Sequence, residues 1–275
     1  MSADSASLLR STGRQISRAD AEFLLAHLLD VRRHELYLGA PVPTRTVRRF
    51  RRMVAAAAGG TPVQYLVHSA PFLDLDLHVD RRVLIPRPET EELVTRALGR
   101  LTPSPLPRFL DFGTGSGCIA IALARLVPNA RVTAVDASAA ALNVARLNAR
   151  RCRVARRVRF IRARSLADPK LQRLAGRLDL VIANPPYVPS PRVARLPVSV
   201  RDHEPKLALD GGPKGTSIVA MLLEQGPRMV RPGGLLALEI DWSQGRTVRR
   251  LAPGASVERD LFGRTRYAFL ETPRE

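Results

Sequence analysis

The sequence from residue 109 to residue 117 reads Phe109-Leu110-Asp111-Phe112-Gly113-Thr114-Gly115-Ser116-Gly117. A short apolar strand enters a glycine-rich turn here, and apolar periodicity predicts a helix directly after it. Glycines allow tight turning and let a ligand approach the backbone. A dinucleotide fingerprint would need its third glycine at Cys118. The turn therefore suits a nucleotide-like ligand that lacks a pyrophosphate.

Outward from this turn, short apolar strands alternate with helices. The predicted strands are 109–111, 131–135, 158–161, 178–183, 235–240, 256–259 and 265–270, and the predicted helices are 116–126, 138–150, 215–229 and 243–251. This order is typical of a parallel sheet covered on both faces. We therefore expect a doubly wound α/β domain that binds its ligands at the carboxyl ends of the strands.

The pattern of apolar and capping residues predicts helices in the first sixty residues. We expect a short helix before Ser11, a second helix capped by Ser17, and a third that starts at a Thr44 or Thr46 cap and stops at Gly59-Gly60. These three helices are expected to form a small helical module.

The periodicity changes after this module. Apolar and polar residues alternate over 73–80, which predicts a half-buried strand in a connecting hairpin. A helix is expected over 89–100. The predicted domains are therefore a helical domain at 1–70, a connecting β-hairpin at 71–86 and an α/β domain at 87–275.

Asp136 ends the second strand of the α/β domain, about twenty residues beyond the glycines, where an acid can bind both hydroxyls of a ribose. We predict that role for Asp136. The alternative is an ordinary strand–helix turn in which Asp136 only caps the helix that follows.

A second motif, Asn184-Pro185-Pro186-Tyr187, directly follows the apolar strand 178–183. Pro186 pushes Pro185 into an extended conformation, and neither ring carries an N–H. The Asn184 side-chain oxygen and the Pro185 carbonyl can each accept one N–H of a planar NH₂ group, while Tyr187 covers its flat face. The alternative is a surface turn with no further role.

These motifs resemble the HemK-like family of protein glutamine N5-methyltransferases, and in particular the branch that modifies peptide chain release factors. The resemblance also extends over several other segments. They are the helical module, Thr61-Pro62-Val63-Gln64-Tyr65 with Phe72, Leu84-Ile85-Pro86-Arg87-Pro88-Glu89-Thr90-Glu91, and Glu204-Pro205 with Leu207-Ala208-Leu209-Asp210-Gly211-Gly212.

The resemblance implies a Rossmann-like class I methyltransferase fold and S-adenosyl-L-methionine as cofactor. It implies that a methyl group is transferred to the Gly-Gly-Gln glutamine of a release factor, which the small helical domain helps to dock. The predicted cofactor-binding residues are Gly113, Thr114, Gly115, Ser116, Gly117, Asp136, Ser165 and Asn184, and the predicted catalytic residues are Asn184, Pro185, Pro186 and Tyr187.

Three positions depart from the family pattern. Arg164, followed by Ser165, stands where an acidic residue near the adenine is usual, and His68 and Asp241 each replace a usual glycine. A weakened or non-catalytic binding paralogue is compatible with these departures. The sequence also leaves open a methyltransferase that acts on a ribosomal protein glutamine, and one that acts on an exocyclic amine of a nucleic acid.

The composition bears on partners and location. The formal net charge is +19, from 44 Lys and Arg against 25 Asp and Glu, and such a field attracts acidic or nucleic-acid-bearing partners. We expect a monomer without a stable nucleic-acid complex, and proximity to the ribosome stays open. The two cysteines lack metal-ligand spacing, so no metal site is expected. Neither a secretory signal nor a run of about 18 apolar residues is present, which predicts a cytoplasmic protein without membrane association.

Overall fold

The structure, a computed structural model, describes residues 3–12, 15–39 and 41–274. The chain forms two compact units. The first comprises the N-terminal segment up to Ser69 together with Pro197–His203, and the second comprises Ala70–Leu196 and the segment from Glu204 onward. The partition into functional domains at 1–70, 71–86 and 87–275 stays a prediction.

The first unit is mostly helical. Its elements are β1 (Ala3–Asp4), α1 (Ser5–Thr12), α2 (Arg18–Leu29), a 3-10 helix (Arg33–Leu38), β2 (Pro41–Val42), α3 (Thr44–Ala58), α4 (Val63–Val67) and a short helix at Val198–Arg201. Fully buried Leu24, Leu25, Leu36 and Phe50 form the centre of its core. The expected helix before Ser11 is present as α1.

Two predicted helix caps have different outcomes. Ser17 caps α2, because its hydroxyl accepts from the Asp20 N–H at 3.1 Å. The prediction that Thr44 or Thr46 caps α3 is wrong. Pro43 is the N-cap, and its carbonyl accepts from the Val47 N–H at 3.0 Å. Since the proline ring fixes φ, α3 starts one residue earlier than a Thr44 cap would allow.

The second unit contains the remaining elements. The strands are β3 (Ala70–Phe72), β4 (Leu75–Leu77), β5 (Arg108–Phe112), β6 (Arg131–Asp136), β7 (Val158–Arg162), β8 (Leu178–Ala183), β9 (Val230–Glu239), β10 (Ser256–Arg259) and β11 (Thr265–Glu271). The helices are α5 (Pro88–Leu98), α6 (Cys118–Leu126), α7 (Ala139–Arg151), α8 (Pro169–Gln172), α9 (Ser190–Val193), α10 (Lys206–Leu209), α11 (Ser217–Gln225) and α12 (Gly245–Leu251).

Seven of these strands form one sheet in the order β10-β11-β9-β8-β5-β6-β7. The five strands from β9 to β7 are parallel, and β11 and β10 add antiparallel pairs at one edge. The strand order reverses between β5 and β8, which are hydrogen-bonded neighbours. Ligands of doubly wound sheets bind at such a switch point. The predicted α/β fold is confirmed.

Both faces of the sheet are buried. Along β8, Leu180 and Ile182 pack into one apolar cluster, whereas Val181 and Ala183 pack into the other. Successive side chains of a strand point to opposite faces, so a strand with helices on both sides becomes a continuous apolar run. This explains the apolar run 180–183 of β8, whereas the buried Asp179 on the same strand is paired with Arg231 at 2.8 Å.

Three predicted element bounds need correction, and the first is the strand expected over 235–240, because β9 begins at Val230 and ends at Glu239. The strand expected over 73–80 is shorter, because Leu73 adopts φ 53° in the turn and only Leu75–Leu77 pairs, with Ala70–Phe72. The helix expected over 215–229 ends at Gln225, where Gly226–Arg228 forms a 3-10 turn instead. Pro227 in this turn has no N–H for a helical hydrogen bond, which accounts for the early end. Across the described ranges, no helix has both the length and the apolar character needed to cross a membrane.

Candidate active site

The glycine turn follows β5 and is fixed by its neighbour β6. The N–H groups of Gly113 and Thr114 both donate to the Val135 carbonyl, at 2.8 and 2.9 Å. Gly113, Gly115 and Gly117 adopt φ values of 78°, 54° and 87°. This left-handed region strongly favours glycine, which is the residue at all three positions.

Asp136 reaches across to this turn from the end of β6. Its Oδ2 accepts from the Gly115 N–H at 2.9 Å and its Oδ1 accepts from the Ser138 N–H at 2.8 Å. Burial raises the pKa of the carboxyl above its ordinary range. The N-cap of α7 is Ser138, whose hydroxyl accepts from the Ala141 N–H. Asp136 is therefore not the N-cap of the helix that follows it.

The Asn184–Tyr187 segment stands beside the glycine turn because β8 is the neighbour of β5. Asp111 pairs with Ile182 across these strands, which brings Gly113 level with Asn184 just beyond their ends. A Cβ on Gly113 would lie 3.9 Å from the Asn184 carbonyl oxygen. The two motifs, about seventy residues apart in sequence, meet at the switch point.

A cavity opens where they meet. The space between its walls, including the solvent-filled opening, is about 900 Å³. Five predicted site residues line it, namely Gly113, Gly115, Asp136, Asn184 and Pro186. The apolar part of the wall includes Leu84, Phe112, Leu207 and Ile218.

Other predicted site residues lie behind this wall. Thr114 is buried and donates its hydroxyl to Asp111 Oδ2 at 2.6 Å. Ser116 is also buried. Gly117 packs against α7, where a Cβ would approach Ala145 to 3.1 Å. These residues build the turn rather than the cavity surface.

Ser165 is not brought to the cavity. Its hydroxyl donates to the Gln225 side chain at 2.8 Å and accepts from the Ala167 N–H at 3.1 Å, which holds it away from the wall. The preceding residues Ala163 and Arg164 line the cavity instead. Arg164, the departure noted from the sequence, is thus a cavity residue.

The Asn184 side chain has a defined orientation. Its Nδ2 donates to Thr90 Oγ1 at 2.9 Å. Within residues 41–274, neither its Oδ1 nor the Pro185 carbonyl accepts a hydrogen bond from the protein. Two acceptors on adjacent residues are therefore left for donors from outside the chain.

The loop from Asp210 to Gly215 packs against the backbone of the tetrapeptide Asn184–Tyr187. A Cβ on Gly211 would lie 2.6 Å from the carbonyl oxygens of both Pro186 and Gly215, so only glycine fits between them. Gln244 donates from its side chain to the Gly215 carbonyl at 2.8 Å and to the Tyr187 carbonyl at 3.3 Å. The sequence resemblance included Gly211 but gave it no role.

Glu239 is a buried residue of this region that sequence reasoning did not select. Its carboxylate accepts from Thr90 Oγ1 at 2.7 Å and from the Tyr187 hydroxyl at 3.1 Å. Burial raises the pKa of Glu239 to about 7, although the hydrogen bond from Thr90 lowers this pKa in part. Burial also raises the pKa of the Tyr187 hydroxyl. An acidic residue that ends the apolar strand next to β8 is the sequence signal that points to it.

A second buried carboxylate lies next to Pro205, a residue of the cavity wall. Glu204 is buried and accepts from Arg87 Nη2 at 2.6 and 2.8 Å. Burial raises the pKa of Glu204, and the Arg87 charge opposes this. The pair ties the segment before α5 to the segment that carries Pro205 and Leu207 on the cavity wall.

The structure accommodates the other two departures from the family pattern. His68 ends α4 in the left-handed conformation with φ 55°, which explains why glycine is usual there. Asp241 is buried, accepts from Ser243 N–H and hydroxyl at 3.0 and 2.5 Å, and pairs with Arg192 at 3.0 Å. Its charge is therefore compensated.

Comparison with known proteins places this geometry in a family. Residues 94–195 match the methyltransferase small domain and residues 3–67 match the PrmC N-terminal domain. The release factor glutamine methyltransferase of Moorella thermoacetica is 42% identical over 97% of this chain and 95% of its own length. That of Chlorobaculum tepidum is 42% identical over 90% of this chain and 82% of its own.

The chain belongs to the release factor glutamine methyltransferase family. The relative from Mycobacterium tuberculosis, 36% identical over 95% of this chain and 87% of its own, agrees with this membership. The family predicted from the sequence is therefore confirmed.

Solved structures agree with the fold. A methyltransferase from Pyrococcus furiosus superposes with a TM-score of 0.53 at 18% identity, over 84% of this chain and all of its own. The hMettl16 catalytic domain, solved in complex with the MAT2A 3'UTR hairpin 6, superposes with a TM-score of 0.56 at 16% identity, over 81% and 82% of the two chains. At such low identity, these likenesses concern the fold alone.

Proposed function

We propose that this family member transfers a methyl group from S-adenosyl-L-methionine to the side-chain amide nitrogen of a glutamine in a peptide chain release factor. One observation carries the proposal. Asn184 Oδ1 and the Pro185 carbonyl accept no hydrogen bond from residues 41–274, and both belong to the tetrapeptide beside the glycine turn. A planar NH₂ group has two N–H donors to match them.

The residues present fit the cofactor. Gly113, Gly115 and Asp136 all line the cavity, and the Asp136 carboxylate can accept hydrogen bonds from hydroxyl groups of a ligand. A Cβ built on Gly113 or Gly115 would come no closer than 3.9 Å to atoms other than those of the adjacent residues, so the protein does not crowd this side of the turn. Gly113, Gly115 and Asp136 would hold the cofactor, which supplies a methyl group on a positively charged sulfur.

The chain's own residues would supply orientation rather than strong base catalysis. An amide nitrogen is a poor nucleophile, because its lone pair is delocalised into the carbonyl. Acceptors at Asn184 and Pro185 fix the plane of the amide and stabilise the positive charge that develops on its N–H groups. The amide proton becomes far more acidic once the methyl group has been added. A general base of high strength is therefore unnecessary.

Tyr187 and the remaining tetrapeptide would complete the substrate site. Pro186 lines the cavity, and the hydroxyl of Tyr187 is held by Glu239 at 3.1 Å. A ring fixed in this way can cover one face of the amide without moving when substrate enters.

The choice of substrate rests on the relatives, which are named release factor glutamine methyltransferases. We propose the Gly-Gly-Gln glutamine as the acceptor, a cytoplasmic monomer as the active form, and no stable complex with nucleic acid. A ribosomal protein glutamine, a nucleic-acid amine and a non-catalytic role are the competing assignments.

Mass spectrometry separates these assignments. Purified release factor, ribosomal proteins and RNA are each incubated with the enzyme and the cofactor. The proposal expects a gain of one methyl group on the Gly-Gly-Gln glutamine, located by fragmentation of the peptide. A gain confined to another protein or to RNA, or no gain at all, would contradict it.

A further inference from the structure

A buried hydrogen-bond chain runs from Glu239 to the cavity. Thr90 Oγ1 donates to Glu239 Oε2 at 2.7 Å, and Asn184 Nδ2 donates to Thr90 Oγ1 at 2.9 Å. Thr90 and Glu239 are 2% and 1% exposed, so water does not compete for these bonds. Of the three residues, Asn184 is the one that lines the cavity wall.

Counting protons fixes the direction of the chain. A hydroxyl has one proton, and an ionised carboxylate can only accept. If Thr90 gives its proton to Glu239, its oxygen can only accept from Asn184. The NH₂ end of the Asn184 side chain must then face Thr90, and the Oδ1 end must face away from it. The flipped amide would place two acceptors together and lose the bond.

We infer that Glu239 and Thr90 are positioning residues for methyl transfer, which keep the Asn184 amide turned so that its Oδ1 is available to the substrate NH₂ group. The inference rests on the proposed function, since it assumes that the acceptor is an NH₂ group. A carbonyl oxygen such as that of Pro185 cannot be flipped, but a side-chain amide can. The Asn184 side chain therefore needs a hydrogen-bond partner to fix its orientation, whereas the Pro185 carbonyl does not.

The same carboxylate also anchors the other end of the tetrapeptide. Glu239 accepts from the Tyr187 hydroxyl at 3.1 Å, in addition to Thr90. Glu239 thus fixes both the first and the last residue of Asn184–Tyr187. A carboxylate can accept both hydrogen bonds because each of its two oxygens is an acceptor. A side-chain amide at this position could not do so in the same way, because one of its two ends is an NH₂ donor.

The charge state of Glu239 controls this arrangement. Burial raises its pKa to about 7. The ionisable groups that act on it are Tyr187, Arg266 on β11, Glu89 on α5, Cys118 on α6 and Tyr267 on β11. Once protonated, Glu239 can itself donate to Thr90, and the Asn184 amide is no longer held in one orientation. Turnover at saturating cofactor should therefore fall as pH is lowered through about 7.

The test compares two substitutions at Thr90 with a control on the same helix. Thr90→Val removes the hydroxyl at nearly constant size, and Thr90→Ser keeps it. Thr95→Val is the control, because the Thr95 hydroxyl bonds to the Glu91 carbonyl and lies on the exposed side of α5. We expect Thr90→Val to lower kcat about tenfold or more, with the Kd of the cofactor little changed. The decrease of kcat as the pH is lowered through about 7 should also be smaller in this variant than in the unsubstituted enzyme. Thr90→Ser and Thr95→Val should stay within about threefold of the unsubstituted enzyme.

Two results would overturn the inference. One is a Thr90→Val enzyme with kcat close to that of the unsubstituted enzyme. The other is a Thr90→Ser enzyme as slow as Thr90→Val, since this would show that packing rather than the hydroxyl matters. If Thr90→Val does not fold, Thr90→Ser still tests the inference, because a slow Thr90→Ser enzyme would contradict it. Failure of the proposed function is seen separately, as absence of glutamine methylation by the unsubstituted enzyme.

Discussion

Asn184 is the residue on which the proposed chemistry depends most. Its Nδ2 is bonded to Thr90 at 2.9 Å, and its Oδ1 would accept from the substrate amide. Loss of one preorganised group that stabilises charge costs roughly a hundredfold in turnover. Asn184→Ala should therefore lower kcat about a hundredfold or more, measured by methyl incorporation into release factor.

The control for this substitution is Asn143→Ala. Asn143 is an exposed residue of α7 whose side chain bonds to Arg146, so its loss should leave kcat unchanged. If Asn184→Ala had near-normal turnover, Asn184 would not be a catalytic residue.

Asp136 should act on cofactor binding rather than on turnover. Its two oxygens already accept from Gly115 and Ser138, and each retains a lone pair that can accept from a ribose hydroxyl. A hydrogen bond to a charged group contributes about 1.5–3 kcal/mol, so Asp136→Ala should raise cofactor Kd roughly tenfold to a hundredfold in calorimetry. Asp74→Ala, an exposed carboxylate on the β3–β4 turn, is the control. An unchanged Kd for Asp136→Ala would exclude Asp136 from the cofactor site.

Among structural elements, the loop from Asp210 to Gly215 has a direct effect on the site. Gly211 packs so tightly below Pro186 that a Cβ would force the tetrapeptide to move. Gly211→Ala should therefore lower kcat by about tenfold or more, because a displacement of a fraction of an ångström spoils catalytic geometry. Gly254→Ala is the matched control, since its Cβ would only touch Leu270 at 3.6 Å. Equal activity of the two variants would show that the loop does not position the tetrapeptide.

The sequence predicted those elements whose signal is local. Apart from Asp179, the stretch Leu178–Ala183 is apolar, which indicated a central strand, and Ser17 lies in an ordinary capping pattern. The cap of α3 was missed because Pro43 competes with Thr44 for that position, and a threonine alone does not decide between them. Local patterns therefore gave the elements but not every boundary.

The contacts between distant elements could not be predicted in the same way. Glu239 lies 149 residues from Thr90 in sequence, and the Arg87–Glu204 pair spans 117 residues. Their proximity follows from the order of strands in the sheet, which no local pattern encodes. Ser165 shows the converse, because its position after β7 suggested a cofactor contact but its hydroxyl is bonded to Gln225.

For the whole molecule, buried carboxyl groups of the site set a pH dependence of stability. Burial raises the pKa of Asp111 to about 7. In the unfolded chain this group ionises above about pH 4, so the folded state loses stability as pH rises from about 4 to 7. An asparagine at this position cannot ionise. The Tm of Asp111→Asn minus that of the unsubstituted protein should therefore increase over this range and then level off.

Asp80→Asn provides a comparison of opposite sign. The hydrogen bond from Arg82 holds the pKa of Asp80 below its usual range, so its carboxylate stabilises the folded state above about pH 4. Its replacement should lower Tm at neutral pH and have little effect in strong acid. A Tm difference for Asp111→Asn that does not change between about pH 4 and 7 would contradict the assigned burial cost.

The central claim is that Asn184 and Pro185 together hold both hydrogens of a substrate amide. A crystal structure of the enzyme with S-adenosylhomocysteine and a Gly-Gly-Gln peptide tests this claim most directly. The glutamine amide nitrogen should lie about 2.7–3.2 Å from both Asn184 Oδ1 and the Pro185 carbonyl oxygen. A glutamine amide bound away from these two oxygens would contradict it.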